Sequence, residues 1–112
     1  MNPVLDAIFG NRSATQTLLF LEAYGSGYAL RIAETYGVPV SSIQRQLIRL
    51  EASGVLVSRK IGAARVFEFN PRNPTVKRLR TLLAAELEAL PEAETKAFYR
   101  QRRRPRRTGK EL

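Results

Sequence analysis

The sequence predicts an α+β fold that is mostly helical and contains one small β-hairpin. Leucine and isoleucine recur every three or four residues through much of the chain, which is the spacing of amphipathic helices. Residues 56–69 instead contain two short strand-like runs on either side of Gly62, which is typical of a hairpin. A chain of 112 residues with 44% hydrophobic content is enough for one small core.

The N-terminal part predicts two helices. Residues 3–9 form a short apolar segment that Gly10 and the residue after it separate from the next helix. Ser13 and Gln16 have the spacing of a capping box, and the leucines that follow predict a strongly apolar helix over about residues 14–24. We expect this second helix to lie at the centre of the core.

A short helix and a tight turn follow. Residues 29–36 predict a helix that ends at Gly37. Val38 and Pro39 then prevent its continuation, because proline disfavours helical geometry in the residue before it.

The next predicted helix spans residues 41–53, with Ser41 or Ser42 as its N-cap. One side has the three-and-four spacing of a face buried in a core: Val40, Ile43, Leu47 and Leu50. The other side is mostly polar: Ser41, Ser42, Gln44, Arg45, Ile48 and Arg49. This second side therefore offers arginine, glutamine and serine to a partner.

The hairpin is predicted to begin near Leu56, after a helix end at Gly54. Its arms are residues 56–61 and 65–69, joined by a tip of three small residues that starts at Gly62. Three basic residues flank that tip: Arg59, Lys60 and Arg65. In the second arm the alternation places Val66 on one face and the following residues on the other: Arg65, Phe67 and Phe69.

A helix, a tight turn, a second helix and a hairpin, in that order, are the pattern of a winged helix-turn-helix. Over roughly residues 13–71 the chain resembles the arsenic-repressor-like (ArsR) and MarR-like bacterial and archaeal regulators. The matching residues are Leu30, Arg31, Ile32, Ala33, Glu34, Ser42, Leu47, Leu50, Gly54, Val55, Leu56, Arg59, Gly62, Arg65, Val66, Phe67 and Asn70. The resemblance implies a transcriptional regulator with residues 41–53 in the major groove of double-stranded DNA and residues 56–70 as the wing on the backbone.

The exposed helix face suits base readout. Arg45 and Arg49 could each reach guanine or a phosphate, Gln44 could pair with adenine, and Ile48 could meet a thymine methyl group. Alternatively, Ile48 packs against the wing or a second subunit. The rival functions are a non-specific or architectural DNA-binding protein and a winged-helix adaptor that binds RNA or protein, because a fold does not determine a function.

Residues 1–73 are thus predicted to form the DNA-binding domain, and residues 74–99 a C-terminal helical segment. That segment carries an apolar stripe that we interpret as a homodimer interface: Val76, Leu79, Leu83, Leu87 and Leu90. The alternative is that it folds back on the chain's own first helix. Pro91 separates this leucine-rich helix from a last predicted helix over about residues 92–101.

Residues 100–112 are predicted to be a flexible basic tail. They carry seven Lys or Arg and one acidic residue, and so supply six of the nine net positive charges of the chain. The arginines concerned are Arg102, Arg103, Arg104, Arg106 and Arg107. Such a tail could neutralise phosphates, enter a minor groove or remain solvated without a binding role.

Composition excludes several functions. The chain contains no cysteine and no histidine, which excludes thiolate or imidazole metal sites, cysteine redox sensing and disulfides. No residue set suggests catalysis and no motif implies a cofactor, so we expect a non-enzyme without one. There is no apolar run of about 20 residues and no signal-peptide pattern, so we expect a cytoplasmic, nucleoid-associated protein without membrane partners.

Overall fold

The computed structural model describes residues 2–100, which form six helices and one two-stranded antiparallel sheet. In chain order the elements are α1 (Pro3–Phe9), α2 (Arg12–Tyr24), α3 (Ala29–Tyr36), α4 (Val40–Ala52), β1 (Leu56–Ile61), β2 (Ala64–Phe69), α5 (Pro74–Glu88) and α6 (Glu92–Phe98). The predicted mostly helical α+β class is confirmed. Within this part of the chain, no helix combines the length and apolar character needed to cross a bilayer.

The core is built around α2. Nine of its thirteen residues are buried, including the apolar run from Leu18 to Leu21 and three polar residues before it, Thr15, Gln16 and Thr17. α1, α4 and α5 all pack against it. The loop after α2 is held to the sheet at Gly27, whose backbone exchanges hydrogen bonds of 3.0 and 2.8 Å with Phe67. A Cβ atom on Gly27 would lie 2.6 Å from Cε1 of Phe20, so this contact requires glycine.

Two predicted helix caps are wrong. α2 begins at Arg12, because the Asn11 side chain accepts a hydrogen bond of 2.7 Å from the backbone N–H of Ala14, which leaves Ser13 inside the helix. α4 begins directly after Pro39 without a side-chain cap, so Ser41 and Ser42 lie in its first turn. The predicted end of α3 is confirmed, since Gly37 has a φ of +66°.

The inner face of α4 agrees with the predicted spacing except at its first residue. Ile43, Leu47 and Leu50 are buried, and Gln46 is buried beside them. Val40 was predicted to face the core but is 36% exposed, because it begins the helix next to the turn and the packed face starts only at Ile43.

The hairpin turn is shorter than predicted. Ile61 pairs with Ala64, so the turn contains only Gly62 and Ala63 and not a third residue. The φ of Gly62 is +62°, which is typical of the first central residue of a type II′ turn. Phe67 and Phe69 are buried as one face, whereas Arg65 on the same face is exposed because it lies near the tip, beyond the core.

The apolar stripe of α5 faces the core of its own chain. Val76, Leu83 and Leu87 are buried, while Leu79 and Leu90 are partly buried against the same core. α5 packs on α2. The segment therefore folds back on its own chain, as in the alternative prediction, but its partner is the second helix rather than the first. Val76, Leu83 and Leu87 are buried within one chain and so offer no surface to a second copy, whereas an interface that involves Leu79 and Leu90 stays a prediction.

α6 is shorter than predicted, since it ends at Phe98 rather than near residue 101. It has no buried residue of its own. Its attachment depends on Phe98 and on the buried Tyr99 that follows it. Tyr24 donates a hydrogen bond of 2.8 Å from its hydroxyl to the carbonyl oxygen of Phe98, and the hydroxyls of Tyr36 and Tyr99 are hydrogen-bonded at 2.6 Å.

Candidate nucleic-acid interface

The outer side of α4 forms a continuous exposed stripe. It contains Ser41, Gln44, Arg45 and Ile48, which follow one another at the spacing of one helical face. Ser42, at the edge of this face, is half-buried. The stripe is exposed because the opposite side of the helix is buried against α2, α3 and β1.

A cleft separates α4 from β2. Its volume is about 310 Å³, and the residues that line it include Gln44, Ile48, Arg65 and Phe67. Ile48 is 66% exposed and lies beside two other exposed apolar residues that line the cleft, Tyr28 and Leu30. The structure therefore brings three of the predicted contact residues together: Gln44, Ile48 and Arg65.

Arg49 has a different environment from Arg45. Its Nη2 donates a hydrogen bond of 3.4 Å to the carbonyl oxygen of Phe9 at the end of α1, and its Nε donates one of 3.0 Å to Oε1 of Gln46. A cation is favourable at the end of a helix, where the carbonyl groups lack intrahelical partners. These bonds direct the Arg49 guanidinium towards α1.

The three basic residues of the hairpin lie on two faces. Lys60 pairs across the strands with Arg65, and their face is the one that carries Phe67. Arg59 lies on the opposite face, where its Nη1 is 3.0 Å from Oε2 of Glu68. Only Lys60 and Arg65 therefore share the side of the hairpin on which α4 packs.

Polar contacts connect this hairpin face to α4. Nη1 of Arg65 donates a hydrogen bond of 3.1 Å to Oγ of Ser58, and that hydroxyl in turn donates one of 2.5 Å to Oε2 of Glu51. Because these groups are exposed, each contact adds little stability. Together they orient the Arg65 side chain relative to the helix.

Two exposed apolar residues at the same cleft were not predicted as site residues. Tyr28 and Leu30 line it beside Ile48, and both are exposed. The signal for Leu30 is its spacing: it lies two positions before the buried Ile32, and residues two apart on a helix point in nearly opposite directions. Tyr28 precedes the helix, so periodicity gives no signal for it.

The remaining predicted sites are outside this surface. The arginines predicted to contact the DNA backbone from the tail lie outside the described residues: Arg102, Arg103, Arg104, Arg106 and Arg107. Among residues 2–100, no group of three or more acidic, cysteine or histidine side chains is arranged to hold a metal ion.

Comparisons with known proteins do not assign the chain to a family. No protein-family model matches it, and neither a curated protein nor a solved structure was found to match.

Proposed function

We propose that this chain is a sequence-specific, double-stranded DNA-binding transcriptional regulator with a winged helix-turn-helix architecture. In this proposal α3 and α4 are the two helices of the motif, joined by the turn at residues 37–39, and the β1–β2 hairpin is the wing. The observation that carries it is the exposed stripe on α4, which continues across the cleft to the basic face of the hairpin.

The dimensions of the stripe suit a major groove. An α-helix with its side chains is about 10–12 Å across, and a major groove is about 12 Å wide. From Ser41 to Ile48 the stripe extends about 10 Å along the helix, at about 1.5 Å per residue. Arg45 would contact guanine, Gln44 adenine, and Ile48 a thymine methyl group. Lys60 and Arg65 would contact phosphates beside the groove.

Arg49 receives a different role from the one first predicted. Its hydrogen bond to the carbonyl oxygen of Phe9 joins α4 to the end of α1, and its bond to Gln46, within α4, orients the guanidinium. We therefore expect Arg45 to determine base preference and Arg49 to affect it less. The basic tail would add phosphate contacts that do not depend on sequence.

A twofold dimer that reads paired half-sites remains part of the proposal. Because three residues of the α5 stripe are buried within one chain, a second copy would need Leu79, Leu90 or other apolar side chains. Val4 and Ile8 lie one turn apart on α1 and are 67% and 63% exposed.

Selection from a random pool of double-stranded DNA, at about 0.15 M salt so that screening matches physiological conditions, tests this function. We expect the full chain to enrich a palindromic motif and Arg45→Ala to lose it. The matched control is Arg78→Ala, which removes an exposed arginine of α5 and should keep the motif.

Two results would contradict the proposal. Binding without enrichment would indicate an architectural DNA-binding protein. The absence of DNA binding would instead favour an adaptor for RNA or protein, for which the exposed apolar residues at the cleft would be suited.

A further inference from the structure

The cleft between α4 and β2 is more apolar than contact with DNA requires. Buried Leu47 and Phe67 line it, together with Tyr28, Leu30 and Ile48, which are 40%, 53% and 66% exposed. The apolar group by which a base pair is read in the major groove is the thymine methyl. In the function proposed above such a methyl group meets Ile48, and no role is assigned to Tyr28 or Leu30.

These three exposed apolar residues come together from separate parts of the chain. Tyr28 precedes α3, Leu30 lies in its first turn, and Ile48 lies near the middle of α4. Single exposed apolar residues are common on protein surfaces, whereas a cluster of them at a concave site is typical of a surface that binds another protein. The cleft volume of about 310 Å³ has room for a large apolar side chain of such a partner.

The charged side chains around the cleft are cations. Arg65 lines it, and Lys60 pairs with Arg65 across the strands on the same face of the hairpin. Arg45 lies on the exposed side of α4, directly after Gln44, which also lines the cleft. No acidic residue of the described chain lines it. The surroundings of the cleft therefore attract negative charge.

The charges of these cations are not compensated by ion pairs. None of the ion pairs between described residues includes Arg45, Lys60 or Arg65, whereas Arg59 on the other hairpin face is paired with Glu68. The hydrogen bond of Arg65 goes to a hydroxyl, that of Ser58, and leaves its charge in place. A carboxylate of a partner would thus gain a charge-assisted hydrogen bond here.

Apolar contact and positive charge together define the chemistry of the partner. Duplex DNA supplies negative charge but no apolar group large enough to fill the cleft. A protein segment in which aspartate or glutamate flanks a large apolar side chain supplies both, because the apolar side chain enters the cleft while the carboxylates reach the cations.

We propose that this cleft is the docking site of an acidic segment of another protein. A phenylalanine, tryptophan or leucine of that segment would lie between the three exposed apolar side chains, and its carboxylates would pair with the surrounding cations. Docking would exclude DNA, because Gln44, Ile48 and Arg65 are assigned to both partners. That competition rests on the proposed function, whereas the docking itself does not.

Selection of random peptides displayed on phage, with the full chain as the target and no DNA present, tests the docking. We expect the enriched peptides to share an aromatic residue or leucine flanked by aspartate or glutamate. The most enriched peptide, synthesised with a fluorophore, should bind the wild type with a dissociation constant on the order of 10 μM in fluorescence anisotropy. The same peptide with serine in place of its apolar residue should bind at least about tenfold more weakly.

Two variants and a control locate the site. Leu30→Ser and Ile48→Ser should each weaken binding of the selected peptide about tenfold, because each removes an apolar contact and leaves the charge unchanged. Both side chains are exposed, so these substitutions leave the core intact. The matched control is Leu82→Ser, which replaces an exposed leucine of α5 and should bind as the wild type does. Leu30→Ser should also keep the selected DNA motif, since Leu30 has no assigned contact with DNA.

Several results would overturn the docking proposal. One is that no peptide is enriched, and another is that the serine-substituted peptide binds the wild type as tightly, which would indicate attraction to positive charge alone. Equal weakening by Leu82→Ser and Leu30→Ser would place the peptide elsewhere. Binding of a single-stranded oligouridylate that is lost in Leu30→Ser and Ile48→Ser, without peptide enrichment, would assign the cleft to RNA.

The design separates the docking from the proposed function and from misfolding. The comparison of the two peptides uses the wild type, so it remains decisive if a variant fails to fold. Peptide selection and DNA selection are separate measurements, so either the docking or the DNA-binding function can fail alone. If both hold, the selected peptide should displace the selected DNA from the wild type.

Discussion

Replacement of Leu83 by alanine tests whether α5 belongs to the core of one chain or to an interface between chains. Leu83 is completely buried within a single copy, whereas its neighbour Leu82 is 40% exposed. Both are leucines of the same helix, so Leu82→Ala controls for helix propensity and for the loss of the same atoms.

The expected loss of stability follows from burial. Leu→Ala at a fully buried site costs about 2–5 kcal/mol, because the lost transfer free energy is increased by the cavity left behind. We therefore expect Leu83→Ala to lower the free energy of unfolding by about 3 kcal/mol. Leu82→Ala should cost less than about 1 kcal/mol, since much of its side chain is already in water.

Urea unfolding of each variant at several protein concentrations measures both values. With a slope of about 1.5 kcal/mol per molar urea, a loss of about 3 kcal/mol lowers the midpoint by about 2 M. The reasoning is refuted if both variants lose the same stability. It is also refuted if the wild-type midpoint rises with protein concentration and Leu83→Ala abolishes that rise, which would assign Leu83 to an interface.

Three further predictions concern other parts of the molecule. Gly27→Ala should lower stability by about 1–3 kcal/mol in thermal unfolding, because the added methyl group overlaps a buried ring, whereas Ser26→Ala should have little effect. Because the pKa of Tyr99 is raised to about 12, its neutral hydroxyl contributes stability that is fully present below pH 10 and is lost as the pH rises through about 12. In alkaline denaturation, Tyr99→Phe should therefore lose less stability over that pH range than the wild type does. Deletion of residues 101–112, which carry six basic residues and one acidic residue, should reduce the salt dependence of DNA binding by a slope of about 4–5 without changing the selected motif; an unchanged slope would indicate a tail that does not contact DNA.

Much of the local structure could be predicted from consecutive residues. The three-and-four spacing of Ile43, Leu47 and Leu50 identified the inner face of α4, and Gly37 identified the end of α3. The error at the start of α2 arose because two nearby residues could each cap the helix. Asn11 and Ser13 both suit an N-cap, and the difference between them appears only in the hydrogen bond that Asn11 makes.

Only part of the candidate site could be predicted, because periodicity reports on residues that are close together in the chain. Periodicity placed Gln44, Arg45 and Ile48 on one exposed face, but it could not show that Arg49 bonds to the carbonyl of Phe9, a residue 40 positions earlier. Alternation along a strand already places the neighbours Arg59 and Lys60 on opposite faces, but which of them shares the face of Arg65 depends on the register between the strands. The ion pair of Arg59 with Glu68 likewise appears only in the structure.

The sequence by itself determined the order of the elements, the inner and outer faces of α4 and the position of the hairpin, because each depends on residues close together in the chain. Only the tertiary structure decided what those faces contact. It placed Leu83 and Leu87 of α5 in the core of their own chain and brought Tyr28, Leu30 and Ile48 to one cleft. The physical reason is that a periodic apolar pattern specifies which face of a helix avoids water, while the surface that covers that face is set by packing between distant segments.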